Sequence, residues 1–272
     1  MSIDPRGEDG DGFLPARYNR RVFNWFMLVV RRKFRRSFHG VRLAPGTRAL
    51  LEDLGTSEGP LIIAMNHVSW WDPLTGLLLH DRFLPRHQTS APMDSTQLVK
   101  FGFFRKLGIF GISPDEPRSL ERMSRWIDER FSEEPRTAFW LYPQGRFEDV
   151  REPVRPRPGM AAIAAEHPQA RVASLSAEYT FWTDSRPELC LRGVEIEPPE
   201  KSSTSQWHRR IKHAMQANAE ELATLVRTRD PDRFESLGST SATRLHPMYD
   251  LWLRLRGTTR DLDLSHRSDS TP

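Results

Sequence analysis

The chain of 272 residues is short of two features, cysteine and long apolar runs. Cys190 is its single cysteine, which excludes an intramolecular disulfide and a metal site built from several cysteines, and which fits a reducing compartment. The apolar stretch "VFNWFMLVV" at 22–30 has nine residues, whereas a helix needs about 20 to span a bilayer. There is also no G-x-S-x-G elbow and no P-loop, so neither an acyl-enzyme mechanism nor a nucleotide site is supported.

Acidic residues are absent from 17–36, although the net charge of the whole chain is only +4. This segment holds eight basic residues on the two sides of the apolar stretch. Aromatic residues between basic flanks are typical of a helix that lies in a membrane interface, with its arginines on lipid phosphates. The other interpretation is a helix packed on the body of the protein with a solvated basic face. Nucleic acid is not favoured as a partner, because the chain has no recognisable nucleic-acid-binding motif.

Strand and helix patterns alternate along the rest of the chain. Apolar runs predict buried strands at 61–66, 137–143, 170–179 and 189–197. One helical pattern begins at Pro73, and three others cover 119–131, 159–167 and 205–229. Strands separated by helices predict an α/β fold with a mostly parallel sheet flanked by helices, preceded by the interfacial helix.

Unusual polar residues follow two of the predicted strands. His67 and Asp72 come after the first, in "AMNHVSWWDP", and Gln144, Gly145 and Arg146 come after the second. Reactive groups of such sheets gather at the carboxyl ends of the strands, so the two clusters are expected to share one cleft.

His67 and Asp72 have two interpretations. Asp72 before Pro73 suits a helix N-cap followed by proline at the first helical position, and His67 alone suits a structural histidine. The catalytic interpretation rests on geometry. A histidine at a strand end and an aspartate at the next helix start meet across one turn. The carboxylate would then hold Nδ1–H and leave Nε2 free to accept a proton from a hydroxyl.

The segment "NHVSWWD" resembles the N-H-x-x-x-x-D block of the glycerolipid acyltransferases, the PlsC-like group of 1-acylglycerol-3-phosphate acyltransferases. The resemblance covers 38–200 and continues in "LGIFGISPDEPRS", "FWLYPQGRFE" and "RPGMAAIA" in the order of that family. It implies a glycerol-3-phosphate acyltransferase-like fold. It also implies that His67 is the general base, oriented by Asp72, which activates an acceptor hydroxyl for attack on acyl-CoA or acyl carrier protein. No metal and no resident cofactor are expected, because the acyl thioester is a co-substrate.

Two departures from the family pattern concern the acceptor. The usual third block is F-P-E-G-T-R, whereas this chain reads "YPQGRF" from Tyr142, so Gln144 replaces the acid and Arg146 stands one place early. In the second block Asp115 stands near the usual arginine, with Arg118 slightly later. Both changes weaken phosphate binding and favour a glycolipid, a terpenoid glycoside or another lipid alcohol as acceptor, bound by Gln144, Gly145, Arg146 and Arg118. The alternatives are a 1-acyl-sn-glycerol-3-phosphate acyltransferase of phospholipid synthesis and an inactive membrane-docking scaffold.

The predicted organisation has four parts along the chain. They are an acidic disordered tail at 1–16, a basic amphipathic membrane-surface segment at 17–37, an acyltransferase domain at 38–230 and a partly disordered C-terminal extension at 231–272. The expected location is the cytoplasmic face of a membrane, as a peripheral or monotopic enzyme of lipid metabolism that binds the membrane surface through 17–36. The sequence does not predict an oligomeric state.

Overall fold

A computed structural model describes residues 12–238 of the chain. The strands in this range are β1 Gly40–Leu43, β2 Leu61–Met65, β3 Gln88–Asp94, β4 Ile109–Ile112, β5 Thr137–Leu141, β6 Arg171–Thr180, β7 Glu188–Glu195 and β8 Glu235–Ser236. The helices are α1 Arg20–Ser37, α2 Thr47–Thr56, α3 Asp72–Phe83, α4 Ser95–Lys100, α5 Pro117–Glu133, α6 Gly159–Glu166 and α7 Thr204–Arg227. Two 3-10 helices lie at Gly102–Leu107 and Pro231–Arg233.

The eight described strands form one sheet in the order β4-β3-β5-β2-β6-β7-β1-β8. The first five in this order are parallel to one another. β7 pairs antiparallel with β6, and β1 pairs parallel with β7. The predicted α/β fold with a mostly parallel sheet is therefore confirmed. The direction of the strands reverses between β6 and β7.

The sheet has a hydrophobic core on each face, because successive strand residues point to opposite sides. In β2, Leu61, Ile63 and Met65 pack with α1, α2 and α3, whereas Ile62 and Ala64 pack with α5, α6 and α7. Every residue of β2 is buried, which explains its continuous apolar run in place of alternation. The parallel register of β2 with β5 and β6 brings the carboxyl ends of these three strands to one edge.

The helix α1 packs on the body of the protein. Its buried residues are Phe23, Met27, Val30 and Phe34, which recur at helical spacing along one face. The opposite face is exposed and carries both apolar and basic residues. Asn19 caps the helix by accepting a hydrogen bond from the backbone N–H of Val22 over 3.1 Å. Among residues 12–238, none of the helices combines the length and the apolar character needed to cross a membrane.

The predicted disordered tail at 1–16 is corrected at its end. Phe13 and Leu14 are buried, and Leu14 exchanges two backbone hydrogen bonds with Gly111 in β4, of 3.0 and 2.7 Å. Pairing with the distant edge strand β4 orders this segment. A short segment next to acidic residues carries no local pattern that predicts such pairing. Likewise β8 pairs with β1 and extends the sheet beyond residue 230. The remainder of the predicted tail (1–11) and of the predicted extension (239–272) lies outside the described residues.

Candidate active site

The first residue of the loop after β2 is held by hydrogen bonds to β6. Asn66 is buried, its side-chain amide donates to the carbonyl of Ala177 over 3.0 Å, and its carbonyl oxygen accepts the N–H of Ala177 over 2.8 Å. This pair continues the contact between β2 and β6 by side-chain hydrogen bonds after the strand itself has ended. The backbone of His67, the next residue, is therefore held at the carboxyl edge of the sheet.

His67 and Asp72 meet across the six-residue segment that they bound. Nδ1 of His67 lies 2.9 Å from Oδ2 of Asp72, and the same oxygen accepts the backbone N–H groups of Val68 and Ser69 over 2.7 and 2.8 Å. Asp72 is completely buried. An acceptor carboxylate beside Nδ1 selects the tautomer with Nδ1 protonated, and it leaves Nε2 as the acceptor.

The structure corrects the predicted cap of α3. Trp71 is the N-cap residue and Asp72 already lies in the first helical position. No side chain caps the helix, because the carboxylate of Asp72 turns back to the loop and not forward to the helix N–H groups. Asp72 therefore closes the loop around His67, which is the geometry that the catalytic interpretation requires.

The imidazole of His67 is close to the surface, since 17% of its side chain is exposed. Its ring contacts those of Tyr142 and Phe147 in tilted arrangements, with centroid distances of 4.7 and 4.2 Å. Phe147 also contacts the exposed ring of Trp70 at 5.3 Å. Nε2 makes no hydrogen bond with another described residue, so a substrate hydroxyl that reaches the mouth formed by these aromatic rings can give it a proton.

Two tyrosines that sequence reasoning missed complete the surroundings of Asp72. The hydroxyl of Tyr179 donates to Oδ1 of Asp72 over 2.7 Å, and the hydroxyl of Tyr142 donates to its backbone carbonyl over 3.0 Å. Burial, together with the charge of Asp72, raises the pKa of Tyr142 and of Tyr179 well above the usual value, so both remain donors. Tyr142 is the first residue of the block "YPQGRF", although the sequence assigned it no role. Tyr179 lies 107 residues from Asp72, and no local pattern marks it.

The predicted cluster after β5 lies beside the dyad formed by His67 and Asp72, and its members form hydrogen bonds with His67 and Glu148. Gln144 is buried, its carbonyl oxygen accepts the backbone N–H of His67 over 2.9 Å, and its amide donates to the carboxylate of Glu148. The backbone N–H of Glu148 donates to the carbonyl of His67 over 2.9 Å. Gln144 thus positions His67 in this structure, and its predicted contact with an acceptor stays a prediction.

Arg146 forms an ion pair with Glu148, with Nη2 at 2.8 Å from Oε1, and 69% of its side chain is exposed. Hydrogen bonds from Gln144 and Arg146 lower the pKa of Glu148, which keeps this carboxylate charged. Gly145 sits in the turn between them at φ 70°, a left-handed conformation that favours glycine. The sequence missed Glu148 as a partner of Gln144, although its spacing of four residues was visible.

Arg118 forms no hydrogen bond or ion pair with His67 or Asp72. It lies in the first turn of α5 and is exposed, and no hydrogen bond or ion pair joins it to another residue within 12–238. Asp115 is also exposed, in the turn before that helix. The role of Arg118 in binding therefore stays a prediction.

Comparisons with known proteins place the chain in a family. The model of the family described as "Acyltransferase" matches residues 39–177. The chain belongs to the acyltransferase family. The solved structures that resemble it include the 1-acyl-sn-glycerophosphate (LPA) acyltransferase PlsC from Thermotoga maritima, with a TM-score of 0.50, 14% identity, and coverage of 74% of this chain and 78% of that one. No curated protein matches the chain significantly.

This acyltransferase has a narrow apolar cavity of about 60 Å³ next to the dyad. Tyr142 belongs both to the cavity wall and to the surroundings of His67. The other walls come from α1, α3, β3 and the 3-10 helix Gly102–Leu107, through Phe26, Leu74, Met93 and Phe104 among others. Among the described residues, no three side chains of histidine, cysteine, aspartate or glutamate are grouped to hold a metal ion.

Proposed function

We propose that the protein transfers a fatty acyl group from an acyl thioester, acyl-CoA or acyl carrier protein, to a hydroxyl of a lipid acceptor. The observation that carries the proposal is the pair formed by His67 and Asp72, with Nδ1 held over 2.9 Å and Nε2 left without a partner among the described residues. The membership of the acyltransferase family supports acyl transfer in general. The donor and the acceptor are parts of the proposal.

In the proposed reaction, Nε2 of His67 takes the proton of the acceptor hydroxyl while the oxygen attacks the thioester carbonyl. The new carbon–oxygen bond forms a tetrahedral intermediate, and the carbon–sulfur bond then breaks. The imidazolium returns its proton to the leaving sulfur, which departs as a free thiol. Asp72 stabilises the imidazolium through Nδ1–H, and its own charge is stabilised by the hydrogen bonds from Val68, Ser69 and Tyr179.

The apolar cavity beside Tyr142 supports a hydrocarbon substrate. Its volume of about 60 Å³ is small, so a long chain enters only when lining side chains such as Phe26 and Leu74 rotate. The exposed rings of Trp70 and Phe147 give the mouth of the site an apolar rim.

We favour a neutral acceptor that carries hydroxyl groups, such as a glycolipid or a terpenoid glycoside. The arginine of the third block, Arg146, is already paired with Glu148. The surface depression that contains this pair is also lined by Asp149, Glu152 and Arg155. The depression thus holds three carboxylates against two arginines, a balance that disfavours a phosphate dianion. Lysophosphatidic acid is the alternative acceptor, and an inactive membrane-docking scaffold is the alternative of another class.

The proposed location is the cytoplasmic face of a membrane, with α1 on the surface of the bilayer. The exposed face of α1 carries Trp25, Leu28 and Val29 next to arginines, which supports contact with lipid headgroups and the acyl boundary.

Release of free thiol from an acyl thioester, in the presence of a panel of lipid acceptors, tests the chemistry. His67→Ala is expected to lower turnover by about 10² to 10⁴-fold, because it removes the general base. The matched control is His213→Ala, an exposed histidine of α7, with both variants compared by thermal unfolding. Unchanged thiol release from folded His67→Ala contradicts the mechanism, and no release by the unmodified protein with any donor or acceptor favours the scaffold.

The acceptor proposal predicts that a neutral glycolipid is acylated faster than lysophosphatidic acid at equal concentration. The physical reason is that Glu148 already occupies two of the donor nitrogens of Arg146 and offsets its positive charge, which weakens its attraction for a phosphate. Radiolabelled acyl-CoA and acyl carrier protein, with the products separated by chromatography, measure the two rates. Saturable acylation of lysophosphatidic acid with no acylation of sugar lipids contradicts this acceptor and leaves acyl transfer itself intact.

A further inference from the structure

Five exposed apolar residues lie on two neighbouring elements of the fold. We call them the aromatic ridge: Trp25, Leu28 and Val29 of α1, and Phe101 and Phe103 at the 3-10 helix Gly102–Leu107. Their exposures range from 37% for Phe103 to 61% for Leu28. Isolated exposed apolar residues are common, but a contiguous apolar patch marks an interaction surface.

Ring contacts join the two halves of the ridge. Phe103 contacts Trp25 at 6.4 Å and Phe26 at 5.5 Å between ring centroids. Phe101 stacks on Phe104 at 5.7 Å, and Phe104 contacts Phe26 at 6.5 Å. The ridge is therefore one surface, although its halves are more than 70 residues apart in the sequence.

The charged residues of the two segments that carry the ridge are all basic. Residues 12–38 and 95–114 contain no aspartate or glutamate. The exposed cations on these two segments include Arg32 and Arg36 on α1, and Lys100 and Lys106 beside the two phenylalanines. Aromatic residues next to cations that lack acidic neighbours suit an anionic lipid surface, because the rings enter the acyl boundary and the cations reach the phosphates.

We propose that the 3-10 helix Gly102–Leu107 is a second membrane-inserting element, which enters an anionic bilayer surface together with the outer face of α1. This inference rests on the proposed location of the enzyme and adds a part of the chain that the basic amino-terminal segment does not include. Phe26 and Phe104 connect the ridge to the apolar cavity, since both line it. The hydrocarbon chain of a lipid thus reaches the cavity between α1 and the 3-10 helix without passing through water.

Vesicle binding by the full-length protein tests the inference. The vesicles contain phosphatidylcholine and phosphatidylglycerol but no acyl donor or acceptor, so the result does not depend on acyl transfer. The double variant Phe101→Ser/Phe103→Ser is expected to bind at least about ten-fold more weakly, and to lose the fraction that stays bound at high salt. The matched control is Leu120→Ser, an exposed residue of α5 on the opposite face of the sheet, which is expected to bind like the unmodified protein.

A fluorophore placed by Phe103→Cys reports the insertion directly. The only native cysteine, Cys190, is completely buried, so labelling is selective for the new site. The emission is expected to shift to shorter wavelength on vesicles, with no shift from a label placed by Leu120→Cys. If the label at position 103 keeps the emission of a water-exposed fluorophore in the vesicle-bound protein, the second insertion element is overturned. If the unmodified protein does not bind these vesicles, the membrane location is overturned as well.

Discussion

Tyr179 donates its hydrogen bond to the oxygen of Asp72 that does not face His67. The hydroxyl oxygen of Thr75 lies 3.3 Å from that of Tyr179, so a second hydrogen bond follows the one from Tyr179 to Asp72. A buried carboxylate needs such donors, because an unpaired charge inside a protein is costly. Tyr179 is therefore a positioning residue that acts on His67 through Asp72.

Tyr179→Phe is expected to lower kcat by about ten-fold with little change in KM, since one hydrogen bond to a charged group contributes about 1.5 to 3 kcal/mol. The acidic limb of the pH–rate profile is expected to move to higher pH, because a carboxylate with one donor fewer holds a protonated imidazole more tightly. Steady-state kinetics across pH measures both effects. Tyr18→Phe, away from the dyad, is the control, and an unmoved profile in Tyr179→Phe assigns the tyrosine to packing alone.

The helix α1 packs on the body of the protein, and its contact with a membrane, the other interpretation of its sequence, stays a proposal. One face packs on the body through Phe23, Met27, Val30 and Phe34, and the other face carries the basic and apolar residues proposed to meet the membrane. Its basic residues are not equivalent. Arg31 pairs with Asp81 at 2.6 Å, and the ammonium of Lys33 lies 5.3 Å from the ring centroid of Trp71. Arg32, Arg35 and Arg36 are exposed and have no such described partner.

The triple variant Arg32→Gln/Arg35→Gln/Arg36→Gln is therefore expected to weaken binding to anionic vesicles without affecting the fold. Each arginine near an anionic surface contributes about 1 kcal/mol at moderate ionic strength, so a loss of roughly 100-fold is expected, and salt should reduce the difference. Sedimentation with vesicles measures the binding. Arg125→Gln/Arg209→Gln/Lys212→Gln removes the same charge from α5 and α7, and equal binding by the two triple variants contradicts the role of α1.

His80 links the stability of the whole molecule to pH. It is buried between α1 and the sheet, in contact with Phe23 and Trp140, and its Nε2–H donates to the carbonyl of His87 over 3.0 Å. Burial lowers the pKa of His80 from 6.5 to about 3. Burial also lowers the pKa of His87, which adds an effect of the same sign.

Because the folded pKa of His80 is the lower one, the unfolded chain binds a proton that the folded chain does not. Stability is fully present above pH 6.5 and is lost as the pH falls from 6.5 towards 3. Between pH 7 and pH 5 the free energy of unfolding is expected to fall by about 2 kcal/mol through His80 alone. Urea unfolding at the two pH values measures this fall. His80→Gln, which keeps a donor but does not titrate, should show a smaller fall, and an unchanged fall would assign the effect to other groups.

Much of the fold was predictable from local patterns. The strands β2 and β5 are buried throughout, and β6 and β7 are buried over at least half of their length, so their apolar runs are easy to recognise. β3 and β4 were missed for local reasons as well. β3 contains Pro92 and polar residues, and β4 has only four residues with a glycine among them. Tertiary pairing with β5 and with each other makes them strands.

At the site, the sequence by itself determined the pair formed by His67 and Asp72, because the two residues are five apart and one turn closes between them. Only the tertiary structure decided what surrounds this pair. Gln144 reaches the backbone of His67 from 77 residues away, and Tyr179 reaches Asp72 from 107 residues away, because parallel strands bring their carboxyl ends to one edge. Hydrogen bonds across such separations depend on the register of the sheet, which no local pattern of residues encodes.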